Sequence, residues 1–221
     1  MITVHHLNNS RSQRVLWLLE ELGVEYRIQR YQRDPKTMLA PPALRAVHPL
    51  GKSPVITDDG RTVAESGAII EYLVEHYGKG RLIPPAGTGE RLRYTYWLHY
   101  AEGTLMPLMV MSLIFNRVER APWPVRPIAK LISGQVRRGY LRPNIEANLD
   151  FLESELGKTV WFAGDELTAA DVQMSFALEA AAARGGLDQS RPKLAAFLER
   201  VRARAAYQRA QEKGGPYKLL S

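Results

Sequence analysis

The order of strands and helices in the first 80 residues restricts the fold of this chain more than any other feature. Residues 2–7 are β-prone, residues 15–22 carry apolar side chains at helical spacing, and residues 24–31 are again β-prone. A strand, a helix and a second strand in this order favour parallel pairing through a right-handed crossover. A short helix at 43–47, a hairpin at 54–64 and a helix at 66–77 complete the unit. We therefore expect a four-stranded, thioredoxin-like sheet with helices on both faces.

The pattern changes after a segment rich in glycine and proline. Residues 78–90 have no periodicity and are typical of a linker. Beyond them the sequence predicts only helices, at 91–115, 128–157, 169–184 and 192–211. Thr168 and Asp171 form a variant capping box at the start of the third of these helices. The predicted organisation is α/β + all-α: a thioredoxin-like domain at 1–80, a linker at 81–89 and an all-α domain at 90–221.

The absence of cysteine excludes several classes of chemistry. The 221 residues contain no cysteine, which rules out disulfides, a cysteine nucleophile and cysteine-ligated metal sites. The five histidines show no HExxH-type spacing, so we expect no metal site. No apolar run approaches the ~20 residues of a membrane span, and the N-terminus lacks the pattern of a signal peptide. We therefore expect no membrane partner.

Nearly all of the net charge of +7 lies in one segment. Residues 117–142 carry a single acidic side chain, Glu119, against seven basic ones: Arg117, Arg120, Arg126, Lys130, Arg137, Arg138 and Arg142. Two interpretations stay open: a solvated helix face and loop, or a patch that attracts an anionic ligand or partner. Only Trp123 and Tyr140 supply aromatic rings there, so nucleic-acid binding is not expected.

Four motifs in order point to a family. "SRSQRVLWLLEELGVEY" (10–26), "HPLGKSPVI" (48–56), "ESGAIIEYL" (65–73) and "LTAADV" (167–172) together resemble the soluble glutathione transferases, most closely the serine-type bacterial and fungal members. The resemblance covers the whole chain. It implies a cytoplasmic, homodimeric detoxification enzyme that activates the thiol of reduced glutathione for attack on small hydrophobic electrophiles. Glutathione is then a co-substrate, and no other cofactor is expected.

The resemblance also implies how glutathione is held at one edge of the sheet. A cis bond before Pro54 would turn the backbone of Ser53 outward, so that it bonds the cysteinyl backbone of glutathione like an added strand. The alternative for Pro54 is a plain edge-strand proline. Lys52 would reach the glycyl carboxylate as a point charge. His48 is either a structural residue or a second contact to the same carboxylate.

Glu65 and Ser66 stand at the start of a predicted helix. The unpaired N–H groups and the dipole of a helix N-terminus attract a carboxylate, so Ser66 would bond the γ-glutamyl carboxylate. Glu65 would pair with the γ-glutamyl ammonium. A simple N-terminal cap with a nearby acid explains the same two residues, and both interpretations are compatible.

The resemblance places the glutathione thiol near the N-terminus of the first helix. A free thiol has a pKa near 8.5, and a hydrogen bond from a hydroxyl to the thiolate, worth roughly 1.5–3 kcal/mol, lowers that value by about one to two units. Matching residues 14–15 to serine-type members places Ser10 at the thiolate position. Asn9 is the main alternative donor, and Ser12 is a weaker one that we expect to cap the helix. Arg11 either adds positive potential near the sulfur or points to solvent.

The acceptor pocket is expected between the two domains. Candidates from the helical half are Tyr96, Tyr100, Met106, Met109 and Phe115. Aromatic and methionine stripes at helical spacing more often belong to the core, so that alternative stays open for each of them. Catalysis by a tyrosine is disfavoured because residues 1–25 contain none.

Two other functions compete with conjugation. One is glutathione-dependent peroxide reduction by the same thiolate. The other is a non-catalytic protein-interaction module on the same fold, against which the set Lys52, Pro54, Glu65 and Ser66 argues. The lack of a protein thiol disfavours reactions that pass through a mixed disulfide with glutathione.

Overall fold

The computed structural model describes residues 1–183, 187 and 190–215. Four strands form one sheet in the order β2-β1-β3-β4; they are β1 (Ile2–Leu7), β2 (Tyr26–Tyr31), β3 (Val55–Asp58) and β4 (Arg61–Ala64). β1 and β2 are parallel, whereas β3 is antiparallel to both β1 and β4. The crossover from β1 to β2 is the helix α1 (Ser12–Leu22). The predicted thioredoxin-like arrangement is confirmed.

Local signals explain where these elements end. Gly23 closes α1 with φ of 66°, a left-handed conformation that suits glycine, and its N–H bonds the carbonyl of Glu20. Asp59 and Gly60 both have positive φ in the β3–β4 turn, as a tight hairpin requires. The remaining helices of this half are α2 (Pro42–Val47) and α3 (Ser66–Tyr77).

The second half contains helices and no strand among the residues that the structure describes. Its helices are α4 (Gly89–Tyr100), α5 (Met106–Val118), α6 (Arg126–Val136), α7 (Arg142–Leu156), α8 (Ala169–Ala183), α9 (Pro192–Ala203) and α10 (Ala205–Gly214). The single helix predicted at 192–211 is wrong, because the extended backbone of Arg204 separates α9 from α10. Residue 184, the predicted end of α8, lies outside the described residues.

Two π-helical turns, Ala101–Leu105 and Arg137–Leu141, join α4 to α5 and α6 to α7. Each is followed by a proline near the start of the next helix, Pro107 or Pro143. A proline within a helix lacks an N–H and clashes with the carbonyl four residues earlier. A π-helical turn widens the helix, which removes this clash and lets the helix continue past the proline.

The helix α1 is the link between the two halves. It packs against α3 on one side and against α8 and α10 on the other. Trp17 of α1 is fully buried and meets the ring of Tyr207 of α10 edge-on, with 5.4 Å between the ring centroids. Because both halves hold α1, the turn that precedes it has a fixed position.

The continuous helix 89–118 passes a test of length and composition for a membrane span, with a window of mean hydropathy 1.3. Its Glu102 forms ion pairs with Arg11 and Arg14 of the first half, and α4 packs on α8. These contacts are those of a core helix in a folded domain. Such a helix passes the same test of length and composition.

Candidate active site

The turn between β1 and α1 places two buried hydroxyls next to each other. Asn9 has φ of 49°, a left-handed conformation that asparagine tolerates, and α1 starts at Ser12. The Oγ atoms of Ser10 and Ser12 are 2.7 Å apart. Ser10 Oγ also lies 3.3 Å from Ser53 Oγ, and Ser12 Oγ lies 2.9 Å from Nδ1 of His6. The side chains thus form a chain of hydrogen bonds from Ser53 through Ser10 and Ser12 to His6.

His6 stands at the end of this chain. Burial, together with the charge of Arg30, lowers the pKa of His6 to about 4, so its ring is neutral at pH 7. A neutral imidazole has one nitrogen that donates and one that accepts. The hydroxyl of Ser12 lies 2.9 Å from Nδ1 of this ring and 3.5 Å from the Leu7 carbonyl, to which it can donate.

Among the hydroxyls of Ser10, Ser12 and Ser53, that of Ser10 is the freest to change its hydrogen-bond acceptor. The hydroxyl of Ser53 donates to the carbonyl of His5 at 3.1 Å, and that of Ser12 has Nδ1 of His6 and the Leu7 carbonyl within reach. The hydrogen of Ser10 can point either to Ser12 or into the site. The expectation that Ser12 caps α1 is wrong, because its hydroxyl turns toward His6 and the N–H of Ser12 is instead bonded by Ser10 Oγ at 3.3 Å.

The loop before β3 approaches this turn. The Ser53–Pro54 bond is cis, as predicted. The pairing of β3 with β1 and β4 begins at Val55. The main chain of Ser53 therefore lies just beyond the end of the ladder, beside Ser10.

Glu65 has an unusual backbone at the start of α3. Its φ of 74° and ψ of 129° fall in a region that non-glycine residues rarely occupy. The helix begins at the next residue, Ser66, which is buried, whereas Glu65 is exposed. The N-terminus of α3 thus faces the same side of the sheet edge as Ser53, and its N–H groups suit a carboxylate.

A cavity of about 210 Å³ joins these elements. It brings together all seven predicted glutathione contacts: Arg11, His48, Lys52, Ser53, Pro54, Glu65 and Ser66. Leu50, Ala64 and Glu102 complete the lining. Ser10 lies behind this wall, in contact with Ser53. Two larger cavities, of about 620 and 830 Å³, lie near Trp161 and Arg204 and contain no predicted site residue.

Glu102 is a site residue that the sequence analysis missed. It comes from the π-helical turn after α4, and its carboxylate contacts Arg14 and lies 3.1 Å from Nε of Arg11. Burial favours the neutral acid, but the two guanidinium charges outweigh burial and lower the pKa of Glu102. Arg14 is buried and also donates to Gln173 of α8 at 3.0 Å. The signal in the sequence that could have identified Glu102 was a lone carboxylate within an apolar helical stretch.

The five acceptor-pocket candidates do not gather at this cavity. Tyr100, Met106 and Met109 are buried in the core, and the Tyr100 hydroxyl donates to Asn148. Tyr96 is half exposed, meets the ring of Trp97 edge-on and lies tilted against that of Tyr100, while Phe115 is partly buried against the core. None of the five lines the cavity beside Ser53. For Tyr100, Met106 and Met109 the core interpretation is the one that their burial supports.

The His, Asp and Glu side chains that the structure describes do not gather into a metal-ligand cluster. Among residues 1–183, 187 and 190–215, no group of three or more His, Asp or Glu side chains is arranged to hold a metal ion. The two histidines of β1 are engaged instead: Nδ1 of His5 lies 3.0 Å from the Tyr31 hydroxyl, and His6 contacts Ser12.

Comparisons with known proteins agree on one family. Residues 10–76 match the model of the glutathione S-transferase N-terminal domain, and residues 116–200 match that of the C-terminal domain. Glutathione S-transferase 3 of Schizosaccharomyces pombe is 41% identical over 182 residues, which are 82% of this chain and 74% of the relative. Glutathione S-transferase 1 of Saccharomyces cerevisiae is 31% identical, over 96% of this chain and 95% of the relative.

Solved structures give the same result. A glutathione S-transferase from Actinobacillus pleuropneumoniae has a TM-score of 0.76 and 30% identity, covering 97% of this chain and 93% of its own. A glutathione transferase from Phanerochaete chrysosporium, solved in complex with oxidized glutathione, has a TM-score of 0.74 and 25% identity, with 96% of each chain covered.

Proposed function

Because this chain belongs to the glutathione S-transferase family, we propose that it activates the thiol of reduced glutathione for attack on small hydrophobic electrophiles. The observation that carries this proposal is the position of the Ser10 hydroxyl. It lies 3.3 Å from Ser53 Oγ, at the edge where the main chain beside cis-Pro54 is available to a peptide-like ligand.

Glutathione binds as an added strand at this edge. The main chain of Ser53 bonds the cysteinyl backbone, since it lies past the last pairs of the β3 ladder. The γ-glutamyl carboxylate takes the N-terminus of α3 at Ser66, and its ammonium pairs with Glu65. Lys52, with His48 beside it in the cavity lining, holds the glycyl carboxylate. The left-handed backbone of Glu65 supports this assignment, because such outliers cluster at ligand-binding sites.

The thiolate accepts a hydrogen bond from Ser10. The hydrogens of Ser12 and Ser53 can go to other acceptors, the Leu7 and His5 carbonyls. Ser10 can turn its hydrogen from Ser12 to the sulfur without leaving a buried donor unpaired. Arg11, whose guanidinium is 3.1 Å from Glu102, adds positive potential nearby. Asn9 remains the alternative donor.

Calorimetric titration tests the binding site. We expect glutathione to bind, and Lys52→Ala and Ser66→Ala each to weaken binding about tenfold, as the loss of a charged hydrogen bond implies. Lys36→Ala is the matched control for charge, because Lys36 is exposed and lies outside the cavity. No binding at millimolar glutathione would refute the proposal and favour a non-catalytic interaction module.

Activity assays separate the two catalytic alternatives. Conjugation of an aryl halide and reduction of an organic hydroperoxide both need the thiolate, so both should fall together in Ser10→Ala. Relative rates in the wild-type protein then decide between conjugation and peroxide reduction as the main reaction.

We also propose that the protein is a cytoplasmic homodimer that acts in detoxification. Its resemblance to the glutathione transferases supports this assembly and role. Sedimentation velocity tests the assembly: a monomer at micromolar concentration would contradict it.

A further inference from the structure

An exposed apolar surface surrounds the connection from α5 to α6. Its members are Trp123, Val125, Ile128, Leu131 and Ile132, which we call the apolar tip. Trp123 is 86% exposed and stands between two prolines, and Leu131 is 66% exposed. Large apolar side chains so close together in sequence and so open to solvent mark an interaction surface rather than an ordinary protein exterior.

The outer face of α6 accounts for three of these residues. Ile128, Leu131 and Ile132 have the i, i+3, i+4 spacing of one helix face and are all more than half exposed. The core is served by a different face, which contains the fully buried Ser133. One face of α6 therefore packs against the protein, and a second, apolar face is exposed to solvent.

The same segment is strongly basic. Residues 117–142 have six net positive charges, and the only acid among them, Glu119, already pairs with Arg137 at 3.1 Å. Arg120, Arg126 and Lys130 have no carboxylate within ion-pair distance among the residues that the structure describes. The surface thus combines aliphatic and indole side chains with uncompensated cations.

These properties select the partner. A second copy in a symmetric contact would bring the unpaired cations Arg120, Arg126 and Lys130 of both copies together, which is unfavourable. A nucleic acid would pair with the positive charges but would leave the four aliphatic side chains of the tip without a partner. A bilayer with anionic headgroups binds both the apolar side chains and the cations. Tryptophan and aliphatic groups enter its interface, and Lys and Arg remain at the headgroups.

We propose that the apolar tip and the basic residues around it bind the surface of an anionic lipid membrane. This differs from the expectation of no membrane partner, which rested on the absence of a spanning segment; a surface contact needs none. The proposal does not depend on the glutathione chemistry, because no member of the tip lines the cavity beside Ser53.

Vesicle co-sedimentation of the full chain tests this. We expect binding to vesicles that contain phosphatidylglycerol, little binding to phosphatidylcholine alone, and loss of binding as salt screens the charges. Trp123→Ala should weaken binding about tenfold, and Lys130→Ser about fivefold. Each variant is first checked for unchanged glutathione binding, so that a misfolded protein is recognised.

Matched controls are available elsewhere on the chain. Leu92 is 74% exposed on α4, and Leu92→Ser removes as much exposed apolar surface as Leu131→Ser. Lys36→Ser removes an exposed charge outside the segment, as Lys130→Ser does within it. Of these four variants, we expect Leu131→Ser and Lys130→Ser to weaken vesicle binding and Leu92→Ser and Lys36→Ser to leave it unchanged. Equal losses in the controls, no binding by the wild type, or dissociation of a dimer by Leu131→Ser would each overturn the proposal.

Discussion

Replacing Glu102 with glutamine should lower the free energy of unfolding by about 3 kcal/mol. The carboxylate of Glu102 contacts the buried guanidinium of Arg14 and lies 3.1 Å from Nε of Arg11. Glutamine keeps the shape but removes the carboxylate charge from beside the buried guanidinium of Arg14, which keeps its hydrogen bond to Gln173. Removing one member of a buried pair costs about 3–5 kcal/mol, and the 32% exposure of Glu102 favours the lower end.

Denaturant unfolding at pH 7 and at pH 4 or below measures this effect. For a chain of this size, 3 kcal/mol corresponds to a fall in Tm of about 6–12 °C. The pKa of Glu102 is lowered in the folded state, so its stabilising effect is present above the unfolded pKa and is lost as pH falls through the folded pKa. The gap between wild type and variant should therefore narrow in acid.

Glu119→Gln is the matched control. Its pair with Arg137 is also 3.1 Å long but involves two partly exposed side chains, so its loss should cost about 1 kcal/mol or less. The reasoning would be refuted if Glu102→Gln cost no more than Glu119→Gln, or if the gap widened below pH 4.

The pKa of His6 is about 4, lowered by burial and Arg30, so stability should fall by up to about 3 kcal/mol between pH 6.5 and 4; His6→Asn should flatten that part of the curve, and an unchanged slope would contradict the assignment. Glu65→Gly should raise Tm by a few degrees because it removes a left-handed glutamate, yet weaken glutathione binding in calorimetry; a lower Tm would argue against strain. Asp171→Asn should cost about 2 kcal/mol in denaturant unfolding, since an amide cannot accept all the bonds from Phe162 and Thr168; no loss would contradict this.

The first half of the fold could be predicted closely because each element carries its own local signal. Gly23 ends α1, Asp59-Gly60 makes the hairpin turn, and Ser66 begins α3 at the predicted residue. Alternation of strand and helix then leaves few ways to assemble the sheet.

The helical half was less predictable in detail. The break at Arg204 has no glycine or proline to signal it, and an arginine is a good helix former. The π-helical turns result from a conflict between Pro107 or Pro143 and a neighbouring carbonyl. Sequence periodicity shows that a proline interrupts the pattern but not how the backbone responds.

The site, like the fold, has parts that could be predicted from the sequence and parts that could not. Motifs of adjacent residues located the cavity lining, including Lys52, Ser53 and Ser66. The hydrogen-bond chain could not be predicted, since it joins Ser10 to Ser53, which is 43 residues away in the sequence. Side-chain direction between distant segments is set by tertiary packing, which local pattern does not encode.

The most direct test of the account is the pKa of the glutathione thiol when bound, read from thiolate absorbance as pH is raised. In the wild-type protein this pKa should lie below the free value of about 8.5, and Ser10→Ala should raise it by about one to two units, with Ser12→Ala and Asn9→Ala changing it far less. Ser12→Ala is the matched control, because it removes a hydroxyl only 2.7 Å from the first one. A bound thiol pKa that stays the same in Ser10→Ala would contradict the claim that Ser10 holds the thiolate.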